Sequence, residues 1–427
     1  MRNKYIIATL LALLASEVPA QRLLVSVTVD ELNSDKMIAV GQKSTSQGFK
    51  KLLERALIYQ NASYPFAPVD RASAIAAIMT GASPYYNGIT GAKWLDTSTL
   101  RPATCVAGDT PGNLLSSTFT DELKVGTEGQ SLVFSIANHK DAAILSAGHA
   151  ADAAFWRDEH THRWKTSSYY SKTGFKWLSA FDALNADEGN FNLAKLALQC
   201  IDSHLLGSDA NCDILAIHFD NDNYENLDRC LGSLINGVEQ KVGAQNVVFS
   251  IVGTQNTDEA FSEVYERFRV PSGTFYINRT GNLLNMYLGA LYGRNKYIEG
   301  YYRNQIFFNK KLIEQRRLNK VELRDHCRSF LMDCDGVKDV KTSADVLPPH
   351  SGDLVVEIMP GWNLYNEESG ERYQQRAGFS PVPIIFYGAG IKPGRVQSPV
   401  TIDRVAPTIA NTIHIRAPNA CGAQPLF

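Results

Sequence analysis

Two acidic residues that follow the first strongly apolar segment are the first candidates for chemistry. Asp30 and Glu31 come directly after Leu23–Val29, a run of branched apolar side chains that is typical of a buried strand. A carboxylate at the end of a strand can ligate a metal ion, or it can cap the segment that follows. Both functions of Asp30 stay open at this point.

A second candidate is Arg71, which directly precedes a stretch rich in Ala and Ile at residues 72–80 that predicts a helix. The amide groups and the dipole at the start of a helix favour a phosphate, sulfate or carboxylate group. Arg71 and Ser73 are therefore candidates for a small anion site. The alternative is that Arg71 pairs with a nearby acidic side chain.

Further apolar runs predict the strands that would position these side chains. Helical patterns lie between the runs, and this alternation is typical of a mostly parallel sheet with helices on both faces, an α/β fold. Ligands bind such sheets at the carboxyl ends of the strands, where Asp30, Asn223 and Thr254 are expected. The predicted strands are 23–29, 133–136, 214–219, 247–252, 354–358 and 383–387, and the predicted helices are 47–56, 72–80, 227–240 and 403–414.

An aromatic and basic passage interrupts this alternation between about residues 268 and 346. It predicts hairpins and helices inserted between two core strands as a cap subdomain. We expect the tyrosines at 276–302 to pack within this cap, with a binding platform for a protein or glycan as the alternative. Since no repeat or linker divides the chain, residues 21–427 are expected to form one domain that includes the cap.

The first 20 residues predict a signal peptide. Arg2 and Lys4 precede an apolar run at residues 5–15, and residues 18–20 offer small side chains for cleavage. The apolar run is shorter than the roughly 20 residues that a membrane-spanning helix needs. We therefore expect a periplasmic or secreted protein that does not span the membrane.

Charge and cysteine content narrow the classes of partner and site. The 427-residue chain has a formal net charge of -2 and no basic run, which does not indicate a nucleic-acid partner. None of its seven cysteines forms the C-x-x-C pairs of a zinc site. In an oxidising compartment, Cys200 with Cys212 and Cys327 with Cys334 are candidate disulfides, and buried free thiols are the alternative.

One set of motifs extends along nearly the whole mature chain. These segments are 24–32, Thr80-Gly81 with Pro84 and Gly88-Ile89, 147–156, 309–313, 351–353, 360–362, 382–388 and 406–410. Together they resemble the alkaline phosphatase superfamily. Within it, the chain is similar to the bacterial periplasmic phosphate-irrepressible alkaline phosphatases, close to the nucleotide pyrophosphatase/phosphodiesterase branch. The resemblance implies the α/β fold of that superfamily.

Enzymes of this superfamily hold two zinc ions with aspartates and histidines and attack phosphorus with a metal-activated Thr or Ser. Paired cations about 4 Å apart clamp the attacking and leaving oxygens. The resemblance places the first metal-binding aspartate at Asp30 and the nucleophile at Arg71, where no nucleophile stands. Ala92 replaces an Asn that contacts the phosphoryl group, and His139 and Asp141 replace a Lys and an Arg.

The other metal-ligand positions implied by the resemblance are also changed. An Asp and a His four residues later are replaced by Asn223 and Leu227. An Asp-His pair is replaced by Thr254-Gln255, and the last His by Pro381. On this alignment, Asp30 alone remains of six metal ligands.

Substitutes for the missing groups are conceivable. Ser73 could replace the nucleophile, and Asp220 or Asp222 could replace a ligand, although a hydroxyl near its ordinary pKa is a poor nucleophile without a metal or a base. Four histidines are possible replacement ligands, namely His139, His149, His218 and His350. We interpret most of them as structural, because His149 belongs to a shared motif and the others lack partners at suitable spacing.

The sequence therefore predicts a non-catalytic member of the superfamily, exported as a binding or scaffolding protein without a cofactor. Its expected partner is a protein of the cell envelope or a small anionic ligand. The alternative is a metal-dependent phosphomonoesterase or phosphodiesterase that holds zinc with unconventional ligands.

Overall fold

The computed structural model describes residues 21–44, 48–184, 189–221, 223–255, 271–342, 348–374 and 380–427. The predicted signal peptide and Asp222 lie outside these ranges.

The strands are, in chain order, β1 (Leu23–Val29), β2 (Leu57–Ser63), β3 (Lys93–Leu95), β4 (Pro102–Thr104), β5 (Val133–Ala137), β6 (Ala153–Arg157), β7 (Trp164–Lys165), β8 (Asp213–Phe219), β9 (Val247–Gly253), β10 (Gly273–Tyr276), β11 (Ile298–Tyr302), β12 (Gln305–Phe308), β13 (Val337–Thr342), β14 (Leu354–Ile358), β15 (Trp362–Tyr365), β16 (Arg372–Tyr373), β17 (Val382–Gly388), β18 (Gly394–Val396) and β19 (Val400–Thr401).

The α-helices are, in chain order, α1 (Ser34–Lys43), α2 (Phe49–Arg55), α3 (Arg71–Thr80), α4 (Pro84–Asn87), α5 (Phe119–Gly126), α6 (Lys140–Ala147), α7 (Lys176–Leu184), α8 (Asn190–His204), α9 (Tyr224–Val242), α10 (Ile277–Tyr292), α11 (Lys310–Gln315), α12 (Lys320–Met332) and α13 (Val405–Thr412).

A central sheet of ten strands organises the described residues. Its order is β18-β2-β17-β9-β1-β8-β5-β6-β7, and β19 pairs with β2. Strands β9, β1, β8, β5 and β6 run parallel, while β17 is antiparallel to both of its neighbours. All seven residues of β1 are buried, as expected for a strand covered on both faces. The predicted α/β fold with a mostly parallel sheet is confirmed.

Helices cover both faces of this sheet. Successive side chains of β1 point to opposite faces, so that Leu24 joins one apolar cluster while Leu23 and Val25 join the other. The first cluster includes residues of α3, α5, α6 and α13. The second includes residues of α1, α2, α7, α8 and α9.

A third apolar cluster, with residues between Phe275 and Tyr373, lies outside the central sheet. It includes residues of a four-stranded sheet, β11-β12-β14-β13, and of helices α10 and α12. The assignment of residues 354–358 to the main sheet was wrong, because they form β14 of this smaller sheet. The predicted cap limits, 268 and 346, lie outside the described residues and stay a prediction.

Four of the tyrosines of this region pack within it as expected. Tyr297 is fully buried, and Tyr287, Tyr292 and Tyr301 pack against the third cluster. Packing of these four residues therefore accounts for much of the aromatic content of the passage.

The predicted local disulfides are not formed, since all seven cysteines are free thiols. Cys200 belongs to the cluster on one face of the central sheet, while Cys212 packs against the cluster on the other face. Cys327 is buried in the third cluster, and the Cys334 thiol instead lies 3.5 Å from the carbonyl oxygen of Phe330. The alternative of free thiols describes the structure.

None of the helices within the described ranges combines the length and the apolar composition needed to cross a bilayer.

Candidate functional site

Four neighbouring parallel strands deliver polar residues to one edge of the central sheet. Asp30 follows β1, Asp220 follows β8, Thr254 follows β9, and His139 lies two residues after β5. Because these strands are parallel, their carboxyl ends meet at the same edge. The expectation that Asp30 and Thr254 share this edge is confirmed by a hydrogen bond from Thr254 Oγ1 to Asp30 Oδ1, 3.0 Å long.

Helix α3 begins at this edge and positions Arg71 as its first residue. Asp70 caps the helix by accepting a hydrogen bond from the Ser73 amide (3.0 Å), while Ser73 Oγ accepts one from the Asp70 amide (2.9 Å). Asp70 Oδ2 also accepts a hydrogen bond from the amide of Ala92 (2.7 Å). Residues 72–80 are buried, so packing as well as the capping box fixes where α3 starts.

The surroundings of Ser73 do not favour its prediction as a substitute nucleophile or anion ligand. Its side chain belongs to the capping box, and the residue has no exposed surface. The hydroxyl of Ser73 also donates to Asp70, at 2.9 Å from Oδ1. A fully buried hydroxyl that caps a helix is not accessible to a substrate.

Arg71 forms an ion pair across the edge of the sheet. Its Nε lies 3.0 Å from Asp30 Oδ2, and its Nη1 lies 3.9 Å from Asp141 Oδ1. The side chains of Arg71 and Asp30 are 29% and 20% exposed, so the pair is partly shielded from water. Of the two alternatives for Arg71, the structure shows pairing with an acidic side chain.

The surroundings favour the charged forms of both partners. Burial alone would raise the pKa of Asp30, but nearby His218 and Arg71 lower it well below its ordinary value. Burial would lower the pKa of Arg71, yet the carboxylates of Asp30 and Asp141 raise it above its ordinary value. The guanidinium therefore stays charged beside Asp30.

The remaining positions that the resemblance assigns to metal ligands serve other structural purposes. Thr254 holds Asp30, and Gln255 is only half-buried. Asn223 caps α9 by accepting hydrogen bonds from the amides at its start, and Leu227 is fully buried in an apolar cluster. The carbonyl oxygen of Pro381 accepts a hydrogen bond from the Ser34 amide.

His218 is the residue at this edge whose importance the sequence did not reveal. It lies beside Thr28 in the register of β1 and β8, and its Nδ1 is 2.9 Å from Thr28 Oγ1. Its Nε2 lies 3.3 Å from Asp30 Oδ1. The interpretation that His218 lacks a partner was wrong, because the partner lies on a neighbouring strand. Aligning the carboxyl ends of β1 and β8 would have placed His218 near Asp30.

His139 also has a partner that sequence spacing concealed. Its Nε2 lies 3.0 Å from Asp220 Oδ1, and Asn138 donates a hydrogen bond to Asp220 Oδ2 (2.7 Å). The interaction with Asp220 raises the pKa of His139 above its ordinary value. Asp220, one of the two carboxylates that could replace a missing metal ligand, therefore lies in the site.

The other two histidines are structural, as expected. His149 contacts Asp121 through Nδ1 and the carbonyl oxygen of Leu114 through Nε2, both at 3.0 Å. The ring of His350 stacks on Trp94 with 4.6 Å between the ring centroids.

The polar residues at the carboxyl edge of the central sheet border a cleft of about 430 Å³. Its lining residues are Asp30, Glu31, Lys36, Arg71, His139, Asp220, Asn221 and Tyr224. The donor set does not fit the two zinc ions of the superfamily's enzymes, because Asp30 alone keeps a ligand at the six expected positions. Among the described residues, Asp30 also belongs to a group with His218 and Asp220 whose ligand atoms lie within 4.8 Å of one another.

Comparisons with known proteins agree with this fold. The chain is 22% identical to alkaline phosphatase PafA of Elizabethkingia meningoseptica, over 96% of this chain and 94% of that protein. It is 21% identical to alkaline phosphatase PhoV of Synechococcus elongatus, over 93% of this chain and 91% of that protein. The crystal structure of wild-type PafA superposes with a TM-score of 0.83 at 21% identity, covering 96% of this chain and 99% of that one.

A family model described as type I phosphodiesterase / nucleotide pyrophosphatase matches residues 24–380. Since this match spans most of the sequence, the chain belongs to the type I phosphodiesterase / nucleotide pyrophosphatase family of the alkaline phosphatase superfamily.

Proposed function

We propose that this protein is a non-catalytic member of its superfamily, a pseudophosphatase exported to the periplasm or beyond as a binding or scaffolding protein. The observation that carries the proposal is the ion pair between Arg71 and Asp30, 3.0 Å from Nε to Oδ2. It occupies the position where the related enzymes are expected to hold their nucleophile and a metal-binding aspartate.

The chemistry of arginine supports this function. A guanidinium has no lone pair to attack phosphorus, and it does not lose its proton at accessible pH. Its positive charge beside Asp30 also opposes a cation on the same carboxylate oxygen. Both the nucleophile and one metal contact are thus replaced by a single internal pair.

The cleft suits a partner that is recognised through charge. Lys36, Arg71 and His139 present cationic or protonatable groups along its wall, beside the carboxylates of Asp30 and Asp220. We propose that the partner is a small anionic ligand or a protein of the cell envelope, and not a nucleic acid.

A second candidate function is metal-dependent hydrolysis of phosphoric monoesters or diesters with unconventional ligands. It is favoured by the grouping of Asp30, His218 and Asp220, which offers two carboxylates and an imidazole. The names of PafA and PhoV also describe phosphatases.

Turnover and zinc content separate these functions. Purified full-length protein is incubated with p-nitrophenyl phosphate and bis-p-nitrophenyl phosphate, and its zinc is measured by elemental analysis. We expect no turnover above a buffer blank, and we expect none in Arg71→Thr, since a single hydroxyl cannot replace the missing ligands. Two equivalents of zinc together with turnover, or hydrolysis recovered in Arg71→Thr, would reject the proposal in favour of the second candidate.

A further inference from the structure

The Asp30 carboxylate has two faces with different surroundings. Oδ2 contacts the guanidinium of Arg71. Oδ1 faces His218 Nε2 at 3.3 Å and accepts the Thr254 hydroxyl. A cation at Oδ1 would therefore not have to displace Arg71 from Oδ2.

His218 has the surroundings of a metal ligand. Its side chain has no exposed surface, and Nε2 makes no hydrogen bond of acceptable geometry. The contact with Asp30 therefore leaves this buried nitrogen incompletely satisfied, which is costly. The distance of 3.3 Å to Asp30 Oδ1 is about the separation that two ligand atoms have around a tetrahedral zinc ion with bonds of about 2.0–2.1 Å.

The groups around this triad resemble the outer contacts of a metal site. Thr28 Oγ1 lies 2.9 Å from His218 Nδ1 and fixes the ring, as the second nitrogen of a metal-bound histidine requires. His139 and Asn138 hold the carboxylate of Asp220. Asp220 Oδ1 is buried, and its contact with His139 Nε2, like that of His218 Nε2 with Asp30, is an ion pair without good hydrogen-bond geometry.

The local charge also favours a divalent cation. Asp30, Asp141 and Asp220 bring three negative charges to the edge of the sheet, and Arg71 brings one positive charge. The formal balance of these four side chains is therefore -2. A bound dication would compensate these charges, and it would remove the repulsion that an anionic ligand otherwise meets in the cleft.

From this geometry, we propose that Asp30, His218 and Asp220 form a mononuclear site for a divalent ion of the zinc type. Two of these ligands stand at positions other than those that the resemblance assigns to the two zinc ions. One imidazole with two carboxylates favours Zn²⁺ or Co²⁺ over Mg²⁺ and Ca²⁺, which take oxygen ligands. The site is independent of the proposed lack of catalysis, because one ion without a nucleophile does not reproduce a two-metal centre.

The test is metal binding to the full-length protein after chelation. Zn²⁺ is titrated by calorimetry, Co²⁺ by its visible absorption, and bound metal is counted by elemental analysis. We expect one equivalent, with affinity lowered at least roughly 100-fold in His218→Gln and Asp220→Asn and about 10-fold or more in Thr28→Val. His160→Gln, at an exposed histidine, is the matched control and should bind as the wild type does.

Arg71→Met provides a test that loss of folding cannot mimic. Removing the nearby positive charge should tighten Zn²⁺ binding by about tenfold, because the repulsion between the two cations is lost. Circular dichroism establishes that each variant is folded. The proposal would be overturned if no Zn²⁺ binds at about 1 mM, which corresponds to a very weak affinity. Binding of two equivalents of Zn²⁺, or equal affinity in wild type, His218→Gln and Asp220→Asn, would overturn it as well.

A parallel assay with p-nitrophenyl phosphate keeps the two proposals distinguishable. One bound ion without turnover supports both. One bound ion with turnover leaves the site standing and rejects the non-catalytic function. If the protein neither binds Zn²⁺ nor hydrolyses the substrate, the metal site is rejected and the non-catalytic function remains supported.

Discussion

Two regions of this molecule pair histidine with aspartate, and they differ in how completely their polar atoms are satisfied. In the first, which we call the corner, Asp121 Oδ1 accepts the amides of His149 and Ala150, and Oδ2 accepts the amide and hydroxyl of Thr118 and contacts His149. In the cleft, His218 Nε2 and Asp220 Oδ1 remain without a well-formed hydrogen bond.

The difference distinguishes structural polar groups from groups available for a ligand. A fully satisfied buried network stabilises one arrangement, whereas an unsatisfied one costs free energy unless a partner binds. The presence of a histidine paired with an aspartate would, by itself, have pointed to both regions equally. Hydrogen-bond satisfaction separates them: it indicates a structural role for the corner and supports the binding role proposed for the cleft.

The largest effect is expected from removing the charge at the corner. Asp121 is only 6% exposed. Asp121→Asn should lower the free energy of unfolding by about 3 kcal/mol, because it leaves donors of Thr118 and His149 unmatched. The matched Asp220→Asn in the cleft should cost about 1 kcal/mol or less. Urea unfolding measures both, and equal losses would remove the distinction between the two regions.

Gly148 gives the next largest effect, because its backbone lets the chain close around Asp121. Its φ of 77° and ψ of -159° belong to a region that favours glycine, and a Cβ there would collide with Thr118 Oγ1. Gly148→Ala should cost about 2 kcal/mol in the same unfolding measurement. Gly174→Ala, with φ of 64° and open space around the added methyl group, should cost about 1 kcal/mol. If Gly148→Ala were as stable as Gly174→Ala, the side chains of the corner could move aside for the added methyl group without cost.

The corner also predicts a dependence of stability on pH. Hydrogen bonding to Asp121 raises the pKa of His149, so the folded state binds this proton more tightly than the unfolded state. The resulting stabilisation is complete below the ordinary pKa of about 6.5 and is lost as pH rises through the higher pKa of the folded state. The difference in stability between wild type and His149→Gln should therefore shrink from pH 6 to pH 8, by up to about 1 kcal/mol after solvent screening. A difference that grows with pH would contradict this assignment.

The smallest effect on stability is expected at Arg71. Its ion pair with Asp30 is partly exposed, so Arg71→Met should change the free energy of unfolding by less than about 1 kcal/mol. Urea unfolding in the presence of a chelator measures the free energy of unfolding of this variant and of wild type. A loss as large as that in Asp121→Asn would make Arg71 a structural residue like those of the corner.

The sequence predicted the fold because its signals are local. Branched apolar runs indicated β1, β8 and β9, and the edge that these strands share followed from their parallel order. The five-residue run at 354–358 was misplaced, since a short apolar strand has the same pattern in a central sheet and in a subdomain.

The site was less predictable because its contacts join distant parts of the chain. Thr28 and His218 are 190 residues apart, and strand register alone brings them together. Ser73 appeared available in sequence, although the capping box uses its hydroxyl. The prediction that position 71 carries no nucleophile rests on the residue type and the resemblance, whereas the pairing of Arg71 with Asp30 required the geometry of α3.

The most direct test of the account is steady-state hydrolysis of p-nitrophenyl phosphate by zinc-saturated wild type, compared with Asp30→Ala. We predict that neither protein exceeds the uncatalysed rate, because Arg71 stands at the position that the resemblance assigns to the nucleophile and is paired with Asp30. Zinc-dependent turnover in wild type that is abolished by a chelator and by Asp30→Ala would contradict the account.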